Sequence, residues 1–474
     1  MRSYPLLRCA VIRQRMETFL NSGACRLKGG YLNRSLPPDV EKMRRLSAAM
    51  LSSVAAGNKV FESYPVVSVA TKLYLGAVSE AIDIVKSPFF NNGQNGSSPE
   101  KSEGGQPYQK RIIPLETKSA ERITAPIDCS GKDQEERNFV VKEILPLNGK
   151  TNGKTVVLIS GLGTAAEAYF RIGGKDSILF RLLERGFKVL ILDAPGMGKN
   201  ESYSSTNNNI ETMVEEVLPA LEKYLREQKL FVGGLYFLVH SLGGLELNIY
   251  LSRNPRLSED NNKLFKNIMT LESPEFPLPD SHPMYPLLMA SLPFLSPFLS
   301  SIPYHSFVKL LEKGLPGRLL VGNCLSPLSF KRDTPLPLIR ETFERSIKDF
   351  PVPLGADLVR YLWRGRFPFD FVHPTIFIEG QRQVKLVGRF DPLAPEEGLF
   401  LRLTESAETI AHSMLIGISG NSDEDVARAV SLVGEAPILG IVADEISHVD
   451  GSTANAQFDT KIWPIVLRFL DEAA

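Results

Sequence analysis

From about residue 112 the chain alternates short apolar runs with segments of helical periodicity. Continuous apolar runs of four to eight residues mark strands buried on both faces, and such strands belong to parallel sheets covered by helices on either side. Residues 155–160, 188–192, 235–239, 267–271, 414–418 and 438–442 are therefore expected as core strands. The fold class this predicts is α/β, with a mostly parallel central sheet. Between the fourth and fifth of these strands lie about a hundred residues rich in Pro, Leu and Phe, too many for a loop. They predict an inserted cap or lid over residues 274–371, standing over the sheet edge where α/β active sites sit.

Upstream the pattern differs. Leu46, Met50 and Val54, then Val69, Leu73, Val78 and Ile82, recur at helical spacing and predict an N-terminal helical segment over 38–90. Residues 91–111 open with NNGQNGSSPEKSEGGQP, whose Gly, Asn and Ser content cannot bury a core, and predict a flexible linker. The expected core is then 112–273 together with 372–474. The first 37 residues are expected to be a basic, disordered terminus.

Charge narrows the partners. The 474 residues carry 54 basic and 54 acidic side chains, so no global field favours nucleic acid, and none is expected as a partner. Cys9, Cys25, Cys129 and Cys324 are too scattered for a CxxC metal site and too few for a disulfide framework, which fits a reducing, intracellular and most simply cytoplasmic setting. Seven basic residues against the single acid Glu17 in the first 38 form a faint organelle-presequence pattern. No apolar stretch reaches the roughly 18 residues of a membrane span.

Chemistry concentrates at FLVHSLGGLELNIYL, residues 237–251, where an apolar strand runs into His-Ser-Leu-Gly-Gly and then a helix. A strand, a sharp turn and a helix are what a nucleophile elbow requires, because the turn exposes a serine hydroxyl while small neighbours let strand and helix approach. The segment resembles the GxSxG elbow of the α/β-hydrolase superfamily, with Val239 where the family usually has Gly and Ser241 as the nucleophile. VVLISGLGT, residues 156–164, resembles the family's oxyanion loop, which implies the amides of Leu162 and Leu242 as the oxyanion hole. VLILDAPGMGKN, residues 189–200, is similar to its DxPGxG segment, with Asp193 in a structural role. The GMGK stretch is not a phosphate-binding loop, since Asp193 and Asn200 occupy its first glycine and its hydroxyl positions.

The resemblance places the catalytic base after the last strand. Of His240, His282, His305, His373, His412 and His448, only His448 lies there, before a helix ending near 470. His240 adjoins the serine, so its side chain points away from the elbow tip and takes a supporting role. Two segments offer a strand followed by GxxD. Asp423, in GNSD before the histidine strand, is the first candidate for the acid, and Asp391, in GRFD, the second. Glu272 and Glu275 remain behind them.

The resemblance thus implies a serine hydrolase of the esterase or lipase type, acting through an acyl-enzyme and needing no cofactor or metal. MYPLLMASLPFLSPFLSSIPYHSF, residues 284–307, would make the cap greasy. A small hydrophobic acyl ester or thioester is the expected substrate, with peripheral contact to a lipid interface through the cap. Arg364 and Arg366 could serve an anionic head group or simply a solvated face. The alternatives are an acyltransferase or polyester-synthase-like enzyme on the same fold, against which Ser241 in place of Cys counts, and a non-catalytic binding relative.

Overall fold

The computed structural model describes residues 108–115, 139–146 and most of the chain from 148 onward. Outside the description lie 1–107, 116–138, 199–208, 255–263, 275–300, 303–337, 358–380, 404–410, 472–474 and shorter gaps. The helices expected over 38–90, the greasy stretch 284–307 apart from Ser301 and Ile302, Glu275, Arg364, Arg366, the four cysteines and the histidines 282, 305 and 373 all fall outside the described residues. A division into two units falls between Lys101 and Ser102, inside the expected linker, and everything described belongs to the second unit.

Nine strands form one sheet: β1 (Tyr108–Leu115), β2 (Phe139–Pro146), β3 (Thr155–Ile159), β4 (Lys188–Leu192), β5 (Leu235–His240), β6 (Asn267–Leu271), β9 (Arg382–Gly388), β10 (Ser413–Ile418) and β11 (Ile438–Ala443). Their spatial order is β1-β2-β4-β3-β5-β6-β9-β11-β10. The β1–β2 and β2–β4 pairs are antiparallel and every other pair is parallel. Two short strands, β7 (Ser301–Ile302) and β8 (Phe350–Pro351), pair separately. All six expected strands are present to within one residue at either end. The sheet also opens earlier than expected, since β1 starts at Tyr108 within the predicted linker.

Alternation along the strands divides the core in two. Val156, Leu158, Tyr236, Leu238, Met269, Leu271, Leu439 and Ile441 face one layer. That layer holds α1 (Ala166–Phe170), α2 (Ile178–Glu184), α6 (Asp423–Leu432) and α7 (Trp463–Asp471). Val157, Ile159, Leu190, Leu192, Phe237 and Val239 face the other, which holds α3 (Leu218–Glu227) and α4 (Leu242–Arg253). The remaining helix, α5 (Glu396–Leu403), packs on Val387 and Val442. Among the described residues no helix is long and apolar enough to cross a membrane.

One buried group opposes this packing. Glu246 on α4 is fully buried, and among the described residues neither of its carboxyl oxygens has a hydrogen-bond partner. Burial pushes its pKa well above the usual carboxylate range. In the unfolded chain the group ionises near pH 4.3, so folding holds a proton that the unfolded chain releases above that pH. Its contribution to stability is therefore fully present below about pH 4.3 and is lost as pH rises toward the folded value. Glu246→Gln is expected to raise stability at pH 8 by more than about 1.4 kcal/mol, the equivalent of a tenfold change in an ionisation constant, because the equally buried amide has no proton to lose as pH rises. Denaturant unfolding of both proteins at pH 4 and pH 8 checks this: the gain belongs to pH 8, and an equal gain at both values contradicts a titrating carboxyl.

Candidate active site

Strand β5 continues through Val239, which is fully buried and paired between Ile159 and Thr270, and ends at His240. The chain turns at Ser241, with φ 53° and ψ −125°, before α4 begins at Leu242. A residue bearing a Cβ adopts such backbone angles at a cost of about 1–3 kcal/mol, and only where its surroundings enforce them. The Ser241 amide donates to the Leu271 carbonyl (3.0 Å), and the Ser241 carbonyl accepts from the Gly244 amide (3.1 Å). Glycine at 243 is a steric necessity: a Cβ there would lie 2.7 Å from Ile159 Cγ2 and 2.8 Å from the Ser160 carbonyl. Valine at position 239 is accommodated because its side chain points into the α3–α4 layer rather than toward the turn.

Ser241 Oγ lies 2.7 Å from His448 Nε2, and His448 Nδ1 lies 2.9 Å from Asp391 Oδ2. All three groups stand at the C-terminal ends of parallel strands. Asp391 follows β9, His448 follows β11, and these two strands are neighbours. The first-choice acid is corrected: Asp423 is the exposed first residue of α6, and Asp391, 2% exposed, is the carboxylate on His448. The reason is topological. β10, which precedes Asp423, comes just before β11 in the chain but sits at the sheet edge, on the far side of β11 from the serine.

The GNSD segment has another role. The Ser422 hydroxyl accepts from the Asp425 amide, and Asp423, Glu424 and Asp425 fill the first turn of α6, where negative charge favours a helix. Around Asp391 the chains interlock. A Cβ on Gly388 would lie 2.1 Å from the Ile446 carbonyl, so only glycine lets the acid-bearing and histidine-bearing segments approach this closely. Arg389 adds an ion pair to Asp444 at 2.7 Å. Glu272, a lower-ranked candidate, is buried after β6 and comes within 3.9 Å of His240 Nε2.

The loop after β3 is held over Ser241 from two sides. Gly163 N–H reaches Met197 Sδ (3.1 Å), and the Ala166 amide donates to Asp193 Oδ1 (2.7 Å). Asp193 also pairs with buried Lys142 of β2 at 2.8 Å, so the residue expected to be structural ties this loop to β4. From the insertion, the Lys348 amide donates to the Gly163 carbonyl, and the Ala165 amide donates to the Ser346 carbonyl, each at 2.8 Å. Leu162 lies in this loop, and Leu242 supplies a first-turn amide that a helix leaves without an internal acceptor. The loop's anchors, Lys142, Met197, Ser346 and Lys348, are not marked by any sequence motif. The one readable signal was a lysine amid the apolar residues of FVVKEILP.

Residues 154–302 match the alpha/beta hydrolase fold family model. A protein of Mycobacterium phage D29, provisionally named a non-heme haloperoxidase, is 31% identical over 103 residues, 22% of this chain and 32% of its own length. The chain thus spans about a third of that curated relative. A monoacylglycerol lipase from Paleococcus ferrophilus is 17% identical with a TM-score of 0.42, covering 68% of this chain and 95% of its own. A soluble variant of the Saccharomyces cerevisiae monoglyceride lipase, solved with a substrate analogue, is 15% identical with a TM-score of 0.43, covering 72% and 94%. Likeness at this level says nothing of the reaction. The family match over residues 154–302, the mostly parallel sheet and the strand–serine–helix turn agree on an α/β-hydrolase fold.

Proposed function

We propose that the protein is a serine hydrolase of esters or thioesters with a hydrophobic acyl group. The observation that carries this reading is the continuous chain of contacts from Ser241 Oγ through the His448 imidazole to the Asp391 carboxylate. A carboxylate only accepts hydrogen bonds, so Nδ1 carries the imidazole proton and Nε2 is left basic toward the serine hydroxyl. As Ser241 Oγ attacks the acyl carbon, its proton passes to His448 Nε2, and Asp391 stabilises the imidazolium that forms. The amides of Leu162 and Leu242 receive the developing oxyanion. The imidazolium then protonates the leaving group, and a water molecule, deprotonated by His448, releases the acid from the acyl-enzyme.

The apolar character of residues 284–307 supports a hydrophobic acyl chain, and the hydrogen bonds that the Ser346 carbonyl accepts from, and the Lys348 amide donates to, the loop over Ser241 support an insertion seated beside the reaction centre. The strained serine, together with a complete base and acid, weighs against the non-catalytic reading. The test is turnover of p-nitrophenyl esters from acetate to palmitate. The expected result is a kcat/KM that rises beyond acetate, by up to about tenfold for each pair of methylenes buried. Turnover of acetate alone would remove the hydrophobic substrate from the proposal, and turnover of none of them would remove ester hydrolysis.

A further inference from the structure

The imidazole of His240 lies directly behind the reaction centre, where the mechanism above leaves it unused. Its Nε2 is 2.8 Å from the backbone carbonyl of His448 and 3.1 Å from the Tyr169 hydroxyl. A carbonyl cannot donate, so Nε2 carries the hydrogen and donates it to His448, with the Tyr169 oxygen alongside. The ring packs on Tyr169 of α1 at 4.8 Å between centroids and on the His448 ring at 5.1 Å. On its other side runs the loop after β3: a Cβ on Gly161 would stand 3.3 Å from His240 Nδ1 and 2.6 Å from Ser241 Cβ. His240 therefore touches the base-bearing loop, the loop over the serine and the helix that follows that loop. It is also joined covalently to Ser241.

We infer that His240 is a positioning residue, whose Nε2–H fixes the backbone carrying His448 so that the imidazole meets both Ser241 and Asp391. This inference rests on the serine-hydrolase reading. The ring suits this role because it carries no charge: complete burial, and then the adjacent His448, lower its pKa to about 3. A neutral donor can anchor the carbonyl of His448 without opposing the imidazolium that His448 becomes. The titratable groups packed against it are Tyr169, His448 and Glu272, whose Oε2 is 3.9 Å from Nε2.

The experiment compares the full-length wild type with His240→Gln and His240→Leu, reading the rate of inactivation by a fluorophosphonate across pH 5–9 alongside thermal unfolding. Glutamine can place an N–H near the position of Nε2, whereas leucine fills space and leaves the carbonyl without a donor. The leucine variant is expected to react about 10- to 100-fold more slowly, the loss that a misplacement of about 1 Å produces. The glutamine variant should stay within about threefold of wild type, since its amide replaces the lost hydrogen bond. A leucine variant as fast as wild type overturns the inference, as does a glutamine variant slowed to the same degree. If the leucine variant does not fold, His240→Asn, polar but too short to reach the carbonyl, replaces it with the same expected outcome. A wild type that does not react at all removes the serine-hydrolase reading itself, a result distinct from any difference among the His240 variants.

Discussion

Replacing Ser241 or His448 with alanine is expected to lower kcat for ester hydrolysis by roughly 10⁶-fold while the fold survives. The two changes are expected not to add. Without His448 nothing accepts the proton that Ser241 Oγ gives up at 2.7 Å, and without the serine the base has no nucleophile to activate. The double variant should therefore be no slower than either single one, because residues that act as a unit fail together. Ser241→Ala also removes only an oxygen from a position whose strain lies in the backbone, so thermal unfolding should change little. Steady-state kinetics on the three variants checks this, and a double variant slower by the product of the single effects would mean that serine and histidine act independently.

Asp391→Asn is expected to cost about 10⁴-fold in kcat, while Asp423→Asn leaves the rate unchanged. The carboxylate 2.9 Å from His448 Nδ1 holds the hydrogen on that nitrogen. An amide in its place can present its own N–H to Nδ1, which favours the tautomer with hydrogen on Nε2, and that tautomer cannot take the serine proton. Asp423 lies in the first turn of α6, and its loss should appear instead as a small destabilisation, about 0.3–1 kcal/mol, through the helix dipole. A kinetic loss on Asp423→Asn with none on Asp391→Asn would reverse the assignment of the acid.

The difference between these two aspartates marks where the sequence could be read and where it could not. Runs such as VVLI and LYFLV are apolar on both faces, so β3 and β5 stand out from their composition alone, and the serine turn lies between one of them and a helix. His448 could be found because few histidines exist and only one follows the last strand. Local patterns do not reveal spatial order, however. A strand followed by GxxD describes both β9 with Asp391 and β10 with Ser422 capping α6, and only the order β9-β11-β10 separates them.

Strands β2 and β9 are missing from the expected core strands for a related reason. Lys142, Glu143, Gln383 and Lys385 interrupt their apolar runs, yet all four are buried. Lys142 and Glu143 are there because ion pairs with Asp193 and Lys188 satisfy them, and those partners are remote in sequence. The anchors of the loop over the serine are of the same kind, since Met197, Ser346 and Lys348 act through a sulfur and backbone groups that no residue type announces. The His240 contact is likewise made to a backbone carbonyl 208 positions away.

The central claim is that Ser241 is an activated nucleophile, and the most direct measurement is to treat the folded full-length protein with a fluorophosphonate and locate the adduct by peptide mass spectrometry. The account predicts one adduct, on Ser241, formed by the wild type and absent from His448→Ala. A folded wild type that stays unmodified with and without detergent, or an adduct on any other residue, would contradict it.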